Sequence, residues 1–293
     1  MPPLRLVDGS WTATRGSRAG TAIYYQTMVR FLLLPALALG FTGASSAQLA
    51  PAGESGITMG HIHLNVTDVE AQTRFWVGQF DAKPLAREGL AGVKVPGMLI
   101  LFNRVAPTHP SAATVLDHFG FKVRSRDEMV KSCRAAGYVI AKEFIGSEGF
   151  PNAYVVGPDG VNVELQEDTS IMVRAVAQHL HFLLPDPLPL RAWYVGTFSM
   201  PATTRGTHDS ADIPGMNLTF APSRARSSGT KGGIIDHIGF EVKNLAAFCR
   251  KLEAAGIKLD EPYTDVPSLG LAVAFLTDPH GVLIELTEGL AAY

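Results

Sequence analysis

The feature that most constrains the fold is an internal repeat between residues 57 and 290. Five blocks recur in the same order, at an offset that drifts only from 118 to 121 residues. They are GHIHLNVTD with QHLHFLLPD, VPGMLILF with IPGMNLTF, LDHFGFKV with IDHIGFEV, RAAG with EAAG, and GPDGVNVELQE with DPHGVLIELTE. Blocks that keep their order and spacing indicate a duplication. We therefore predict two homologous domains, 57–170 and 173–290.

Each repeat is itself divided into two similar halves. HIHLNVTD and HFGFKVRS both begin with a histidine, alternate apolar with polar residues, and lead into a segment with helical spacing. Alternation predicts strands, and the Gly- and Pro-containing turns that follow each helix separate further strand-like runs. The sequence thus predicts an α+β fold of four tandem βαβββ modules. The third module is the least regular, because Pro185, Pro187 and Pro189 crowd the start of its helix.

The overall composition excludes several classes of function. Hydrophobic residues make up 46% of the 293 residues and charged residues 18%, and the formal net charge is −2. These values are ordinary for a globular protein and give no reason to expect nucleic acid as a partner. The two cysteines, Cys133 and Cys249, lie far apart in helix-like stretches and are expected to be buried free thiols.

The N-terminal region resembles a targeting segment rather than part of the fold. From Met28 the chain has a basic residue, Arg30, then an apolar run, then small residues that end at Ala47. This three-part pattern predicts a signal peptide over 28–47, and the apolar run is too short to span a membrane. Residues 1–27 are expected to be a non-native upstream extension. The mature chain is expected to be exported, as a periplasmic or secreted protein without a membrane anchor.

The ionisable residues follow the repeat. Of nine histidines, six lie at repeat-equivalent positions, and two glutamates form a fourth equivalent pair. The pairs are His61 with His179, His63 with His181, His118 with His237, and Glu164 with Glu285. Because side chains alternate along a strand, these residues share one face while their apolar neighbours take the other. Two imidazoles and one carboxylate on one face suit a divalent metal with open coordination positions.

At these motifs the sequence resembles the vicinal oxygen chelate superfamily, over about residues 57–290. This superfamily includes glyoxalase I, fosfomycin-resistance proteins, bleomycin-binding proteins and extradiol dioxygenases. The resemblance implies paired βαβββ modules that form two cupped-sheet domains around metal sites. It places the metal ligands at His61, His118, Glu164, His179, His237 and Glu285. It also implies that His63 and His181 face substrate, where an imidazole could serve as a catalytic acid or base.

One departure from the family pattern bears on the activity. Glyoxalase I usually has a further carboxylate ligand, but the corresponding strands here read MLILF and MNLTF, without an acid. We therefore expect a divalent-metal-dependent enzyme that acts on a small molecule with two adjacent oxygens, with an extradiol-type dioxygenase favoured. The alternatives are a lyase or isomerase of the glyoxalase type and a non-catalytic binding protein of the bleomycin-resistance type. Fe²⁺ is the favoured metal, with Mn²⁺, Zn²⁺ and Ni²⁺ as alternatives.

The sequence leaves open which modules share a cup. Pairing within each repeat would bring His61 together with His118 and Glu164. Exchange between the repeats would instead bring His61 together with His237 and Glu285. Either arrangement uses the same six ligands, and either is compatible with a monomer built as a pseudo-dimer or with a homodimer.

Overall fold

The structure is a computed structural model, and it describes residues 49–85, 87, 89–224 and 228–293. The predicted upstream extension (1–27) and signal peptide (28–47) lie outside the described residues. None of the helices within the described residues combines the length and apolar character that crossing a membrane requires.

Four α-helices are present in the described part of the chain, one in each predicted module. They are α1 (Val69–Phe80), α2 (Arg126–Ala135), α3 (Pro187–Phe198) and α4 (Leu245–Ala254). Asp68, Ser125 and Asn244 cap the starts of α1, α2 and α4 by accepting hydrogen bonds from backbone N–H groups. The third helix has no such side-chain cap and begins at Pro187 instead, a position where a missing N–H costs nothing.

Sixteen strands complete the four modules within the described residues. Those of the first repeat are β1 (Ile57–Asn65), β2 (Lys83–Pro84), β3 (Gly92–Val95), β4 (Met98–Asn103), β5 (Leu116–Val123), β6 (Val139–Ile145), β7 (Pro151–Val156) and β8 (Asn162–Glu167). Those of the second repeat are β9 (Ala175–Leu184), β10 (Ala202–Arg205), β11 (His208–Ile213), β12 (Met216–Pro222), β13 (Ile235–Val242), β14 (Glu261–Val266), β15 (Leu271–Thr277) and β16 (Leu283–Glu288). The order β-α-β-β-β recurs four times, which confirms the predicted α+β fold class.

The strands form two eight-stranded sheets, and each sheet joins modules from different repeats. The first sheet has the order β14-β15-β16-β13-β1-β4-β3-β2, so the first module pairs with the fourth. The second sheet has the order β10-β11-β12-β9-β5-β8-β7-β6, so the second module pairs with the third. The question that the sequence left open is therefore resolved in favour of exchange between the repeats. The boundaries 57–170 and 173–290 stay a prediction about the duplication, and they do not mark the two sheets.

The core lies between the sheets and the helices. Aromatic side chains from three helices and both sheets belong to one continuous buried cluster. Its largest members are Phe75, Trp76, Phe80, Phe119, Phe121, Phe182, Tyr194, Phe198, Phe220 and Phe240. Cys133 and Cys249 are buried and free, as predicted, and burial raises the pKa of each thiol. The apolar face of each sheet packs into this cluster, and the histidines lie on the opposite face.

Candidate metal centres

We call the histidine-bearing face of the first sheet the first cup. Its candidate ligands are His61, His63, His237 and Glu285. The central strands β1 and β13 run antiparallel with His63 opposite His237, and β16 lies parallel to β13. The Nε2 atoms of His61 and His237 each lie 2.9 Å from Oε2 of Glu285. Nδ1 of His63 lies 3.1 Å from Nε2 of His237. Three separate strands thus bring four donor atoms within 4.8 Å of one another.

The second cup is the equivalent face of the second sheet, around His118, Glu164, His179 and His181. Nε2 of His118 lies 2.8 Å from Oε2 of Glu164, and Nε2 of His179 lies 3.4 Å from the same oxygen. Nδ1 of His181 lies 3.1 Å from Nε2 of His118. All eight residues predicted from the sequence are therefore brought together, four in each cup. Their roles as ligands or catalytic groups stay predictions.

Two glycines create the space that the buried histidine rings occupy. Gly239 lies opposite His61 on the neighbouring strand, and Gly120 lies opposite His179. A Cβ atom added at either glycine would come within 2.0 Å of Cε1 of the facing imidazole. Gly239 and Gly120 therefore each make room for a histidine of the neighbouring module.

An aspartate orients one histidine in each cup. His237 donates from Nδ1 to Asp236 at 2.8 Å, and His118 donates from Nδ1 to Asp117 at 2.6 Å. Asp236 also accepts a hydrogen bond from the Asn65 side chain. An imidazole held through Nδ1 presents Nε2 to the cup, as metal-binding histidines do. The sequence analysis did not identify these aspartates. The signal was present, because Asp117 directly precedes His118 in LDHFGFKV and Asp236 directly precedes His237 in IDHIGFEV.

The charges of the first cup are set by close contact. Burial alone would lower the pKa of His237, but Asp236 and Glu285 outweigh it and raise that pKa to about 8. Burial would raise the pKa of Glu285, but His61 and His237 hold it below its usual range. Burial and the neighbouring histidines lower the pKa of His63 to about 3, which keeps this imidazole neutral at neutral pH.

The pKa values of the second cup are shifted in the same directions, and all four of its residues are buried. Burial opposes ionisation of Glu164, but His118 and His179 hold its pKa well below the usual range. Burial also lowers the pKa of His179 to about 4. The pKa of His118 is raised despite burial, because Asp117 and Glu164 both stabilise its charged form.

The donor arrangement fits a divalent cation in each cup. A protonated Nε2 donates to the carboxylate oxygen less than 3 Å away. Without that proton the lone pair of Nε2 would face the oxygen, which is favourable only when a cation lies between them, so a divalent cation can take the place of the proton. Nε2 of His179 is also buried with no hydrogen-bond partner among the described residues. Buried polar atoms without partners call for an explanation, and an ion that they ligate supplies one. Two imidazoles and one carboxylate are suitable ligands for Zn²⁺, Mn²⁺, Ni²⁺ or Fe²⁺.

Fold and site together define a class of protein: paired βαβββ modules that present histidine and glutamate clusters in two cups. Residues 178–286 match the family model described as Glyoxalase/Bleomycin resistance protein/Dioxygenase superfamily. This match lies in the second repeat and agrees with the resemblance inferred from the sequence. A search of curated proteins finds no match.

Solved structures share the fold over most of the described chain. Glyoxalase I from Zea mays aligns with a TM-score of 0.63 and 14% identity, covering 80% of this chain and 94% of that one. A candidate dioxygenase from Bacillus subtilis aligns with a TM-score of 0.60 and 12% identity, covering 83% of this chain and 86% of that one. At these identities the likeness is one of fold, and it confirms the predicted pair of cupped sheets.

Proposed function

We propose that this chain is a divalent-metal-dependent enzyme that acts on a small molecule carrying two adjacent oxygens. The observation that carries this proposal is the convergence of His61, His237 and Glu285, which all line a cavity of about 290 Å³. This volume is just below the range for small-molecule pockets, which is about 300–1,000 Å³, so the cavity suits a small substrate. A divalent cation held by these three residues would keep further coordination positions for the oxygens of a substrate.

An extradiol-type dioxygenase that uses Fe²⁺ is the activity we favour. Two histidines and one carboxylate with open positions form the ligand set typical of non-haem Fe(II) oxygenases. No acidic residue lies on β4 (MLILFN) or β12 (MNLTFAP), where glyoxalase I would have a further carboxylate ligand. Iron bound by this set would act as a Lewis acid for the two substrate oxygens and offer a position for dioxygen.

The surrounding residues of this chain would bind and orient the substrate. His63 is only partly buried, it lines the same cavity, and its lowered pKa leaves it neutral. A neutral imidazole can accept a hydrogen bond from a substrate hydroxyl at Nδ1, the nitrogen that lies within the donor cluster. Asp236 would hold His237 in its orientation while this occurs.

The ligand set can be tested before any substrate is known. The anaerobically purified protein should bind two Co²⁺ ions per chain, as measured by elemental analysis and visible absorption. Glu285→Gln and Glu164→Gln form a matched pair, and each should lose one ion because each removes a charged donor from one cup. Two ions per chain in the double variant would refute the proposed ligands.

The activity is tested by a screen with the Fe²⁺-loaded protein. Ring cleavage of catechols with uptake of one O₂ per turnover would support the dioxygenase. Turnover of α-hydroxycarbonyl compounds without O₂ would point to a lyase or isomerase instead. Binding of these compounds without turnover of either kind would indicate a non-catalytic binding protein.

A further inference from the structure

The two cups share their donor residues but differ systematically in their walls. The sheets allow a position-by-position comparison, because β15 pairs with β16 in the same register as β7 pairs with β8. Phe275 lies opposite Glu285 in the first cup, and Tyr154 lies opposite Glu164 in the second. The repeat offsets extend this equivalence to the neighbouring strands and turns.

Five apolar residues of the first cup have polar counterparts in the second. Those of the first cup line the cavity in front of Glu285, and they are Leu90, Leu101, Leu269, Val273 and Phe275. Their repeat equivalents, in the same order, are His208, Thr219, Glu148, Asn152 and Tyr154. All five of these differences have the same direction. Elsewhere in the lining Leu271 keeps an apolar counterpart, Phe150, and Asn103 has an apolar one, Ala221, so the change concerns these five positions.

The polar wall of the second cup is occupied by its own hydrogen bonds. Asn152 donates to Oε1 of Glu164, and the Tyr154 hydroxyl donates to Oε2 at 3.2 Å. Nε of Arg205 lies 3.0 Å from Glu148, and Gln166 donates to the same carboxylate at 2.7 Å. An apolar ligand placed against this wall would have to separate bonded polar groups without replacing their partners, which is unfavourable.

The positive charge of the wall also differs between the cups. Arg205 is buried beside Glu148 and lies 3.9 Å from Glu164. Its repeat equivalent, Arg87, is exposed and lies over the ring of Tyr293, 4.5 Å from the ring centroid. The first cup therefore has no counterpart of the buried guanidinium among the described residues that line its cavity.

We propose that the first cup takes a small substrate whose remainder, apart from its two adjacent oxygens, is apolar and uncharged, and that the second cup excludes it. This inference rests on the proposed function, since it assigns a substrate class to the same metal centre. The donors hold the oxygenated edge of the substrate, and Leu90, Leu101 and Val273 contact its apolar remainder. The ring of Phe275 lies edge-on to His237 with centroids 5.7 Å apart, which places an aromatic wall directly beside the donors. A planar aromatic ring with two adjacent hydroxyls fits this arrangement.

Two catechols that differ in one group provide the test. The Co²⁺-loaded protein is titrated without oxygen with 4-methylcatechol and with 3,4-dihydroxybenzoate, followed by cobalt absorption and by calorimetry. Both probes carry the vicinal hydroxyls, but one adds a methyl group and the other a carboxylate. We expect one site per chain for 4-methylcatechol, with an affinity at least tenfold higher than for 3,4-dihydroxybenzoate.

Variants locate this preference in the wall. Val273→Asn gives the first cup the residue that the second cup has at the same place, and it should weaken 4-methylcatechol binding at least tenfold. Phe275→Tyr, which is nearly isosteric, should weaken it in the same direction and serves if the first variant does not fold. His208→Leu changes the wall of the second cup and should leave 4-methylcatechol binding unchanged. Cobalt content should stay at two ions per chain in all three.

Each contrary result is informative. Two equivalent 4-methylcatechol sites per chain, equal affinity for the two probes, or wild-type binding by both first-cup variants would overturn the substrate assignment while leaving the metal centres intact. A chain that binds no Co²⁺ would refute the proposed metal centres, and the substrate assignment with them. Cobalt content therefore distinguishes the two failures.

Discussion

Replacing Gly239 with alanine should damage the first cup in a way that the structure makes quantitative. The added Cβ would lie 2.0 Å from Cε1, 2.2 Å from Nδ1 and 2.5 Å from Nε2 of His61. Non-bonded heavy atoms prefer a separation of about 3.5–4.0 Å, so the ring must move by roughly 1.5 Å or more. His61 is fully buried, and overpacking of this kind typically costs about 1–3 kcal/mol. We expect the free energy of unfolding to fall by that amount.

The displaced ring should also leave the metal centre. Nε2 of His61 lies 2.9 Å from Glu285, and a shift of this size removes one of three proposed donors. Urea unfolding measures the stability, and Co²⁺ titration should show one ion per chain instead of two. Gly78→Ala is the control, because a Cβ at that position of α1 meets nothing within 4 Å. Alanine in a helix interior should be stabilising by about 0.5–1 kcal/mol.

The reasoning has a clear refutation. If Gly239→Ala has wild-type stability and still binds two Co²⁺ ions per chain, the close approach of His61 to this backbone is wrong. If stability falls but both ions remain, the packing is right and His61 is not a ligand. Gly120→Ala should repeat the result in the second cup, since His179 lies equally close there.

Three further predictions concern the same cup and the N-terminus. Asp236→Asn should weaken Co²⁺ binding in the first cup about 10–100-fold, because the residue orients His237; unchanged binding in calorimetry would exclude that role. The Co²⁺ affinity of this cup should decrease as the pH falls below 8, by up to about tenfold per pH unit. The reason is that the pKa of His237 is raised to about 8, so below this pH a proton on Nε2 competes with the metal. An affinity independent of pH between 6 and 8 would contradict this. Mass spectrometry of the native protein should find a chain that begins at Gln48, after cleavage behind Ala47; a chain beginning at Met1 would refute the predicted signal peptide.

Much of the fold and of the candidate site could be predicted from the repeat. Individual strand histidines carry little information, but His61 and His179 recur with the same neighbours at a fixed offset. A strand turns alternate side chains to opposite faces, so the position of each histidine also determined its face. Helix starts at Asp68, Ser125 and Asn244 follow from local capping chemistry, which depends on few neighbouring residues.

The composition of each cup was decided only by the tertiary structure. Strand pairing between β1 and β13 joins residues more than 170 positions apart, and no local preference selects this partner over a strand of the same repeat. The segment between β4 and β5 contributes to the choice, because Thr108 and His109 exchange backbone hydrogen bonds with Gly232 and Ile234 just before β13. Such contacts form only once the chain is folded.

The sequence by itself thus determined four modules, two sets of candidate ligands and the faces that carry them, because these depend on periodicity and repetition. Only the tertiary structure decided that His61 faces Glu285 rather than Glu164, and that the wall around Glu285 is apolar while the wall around Glu164 is polar. The physical reason is that a wall is assembled from side chains of several strands and turns. Leu90 and Val273 lie in different modules, and they line the same cavity only because β1 pairs with β13.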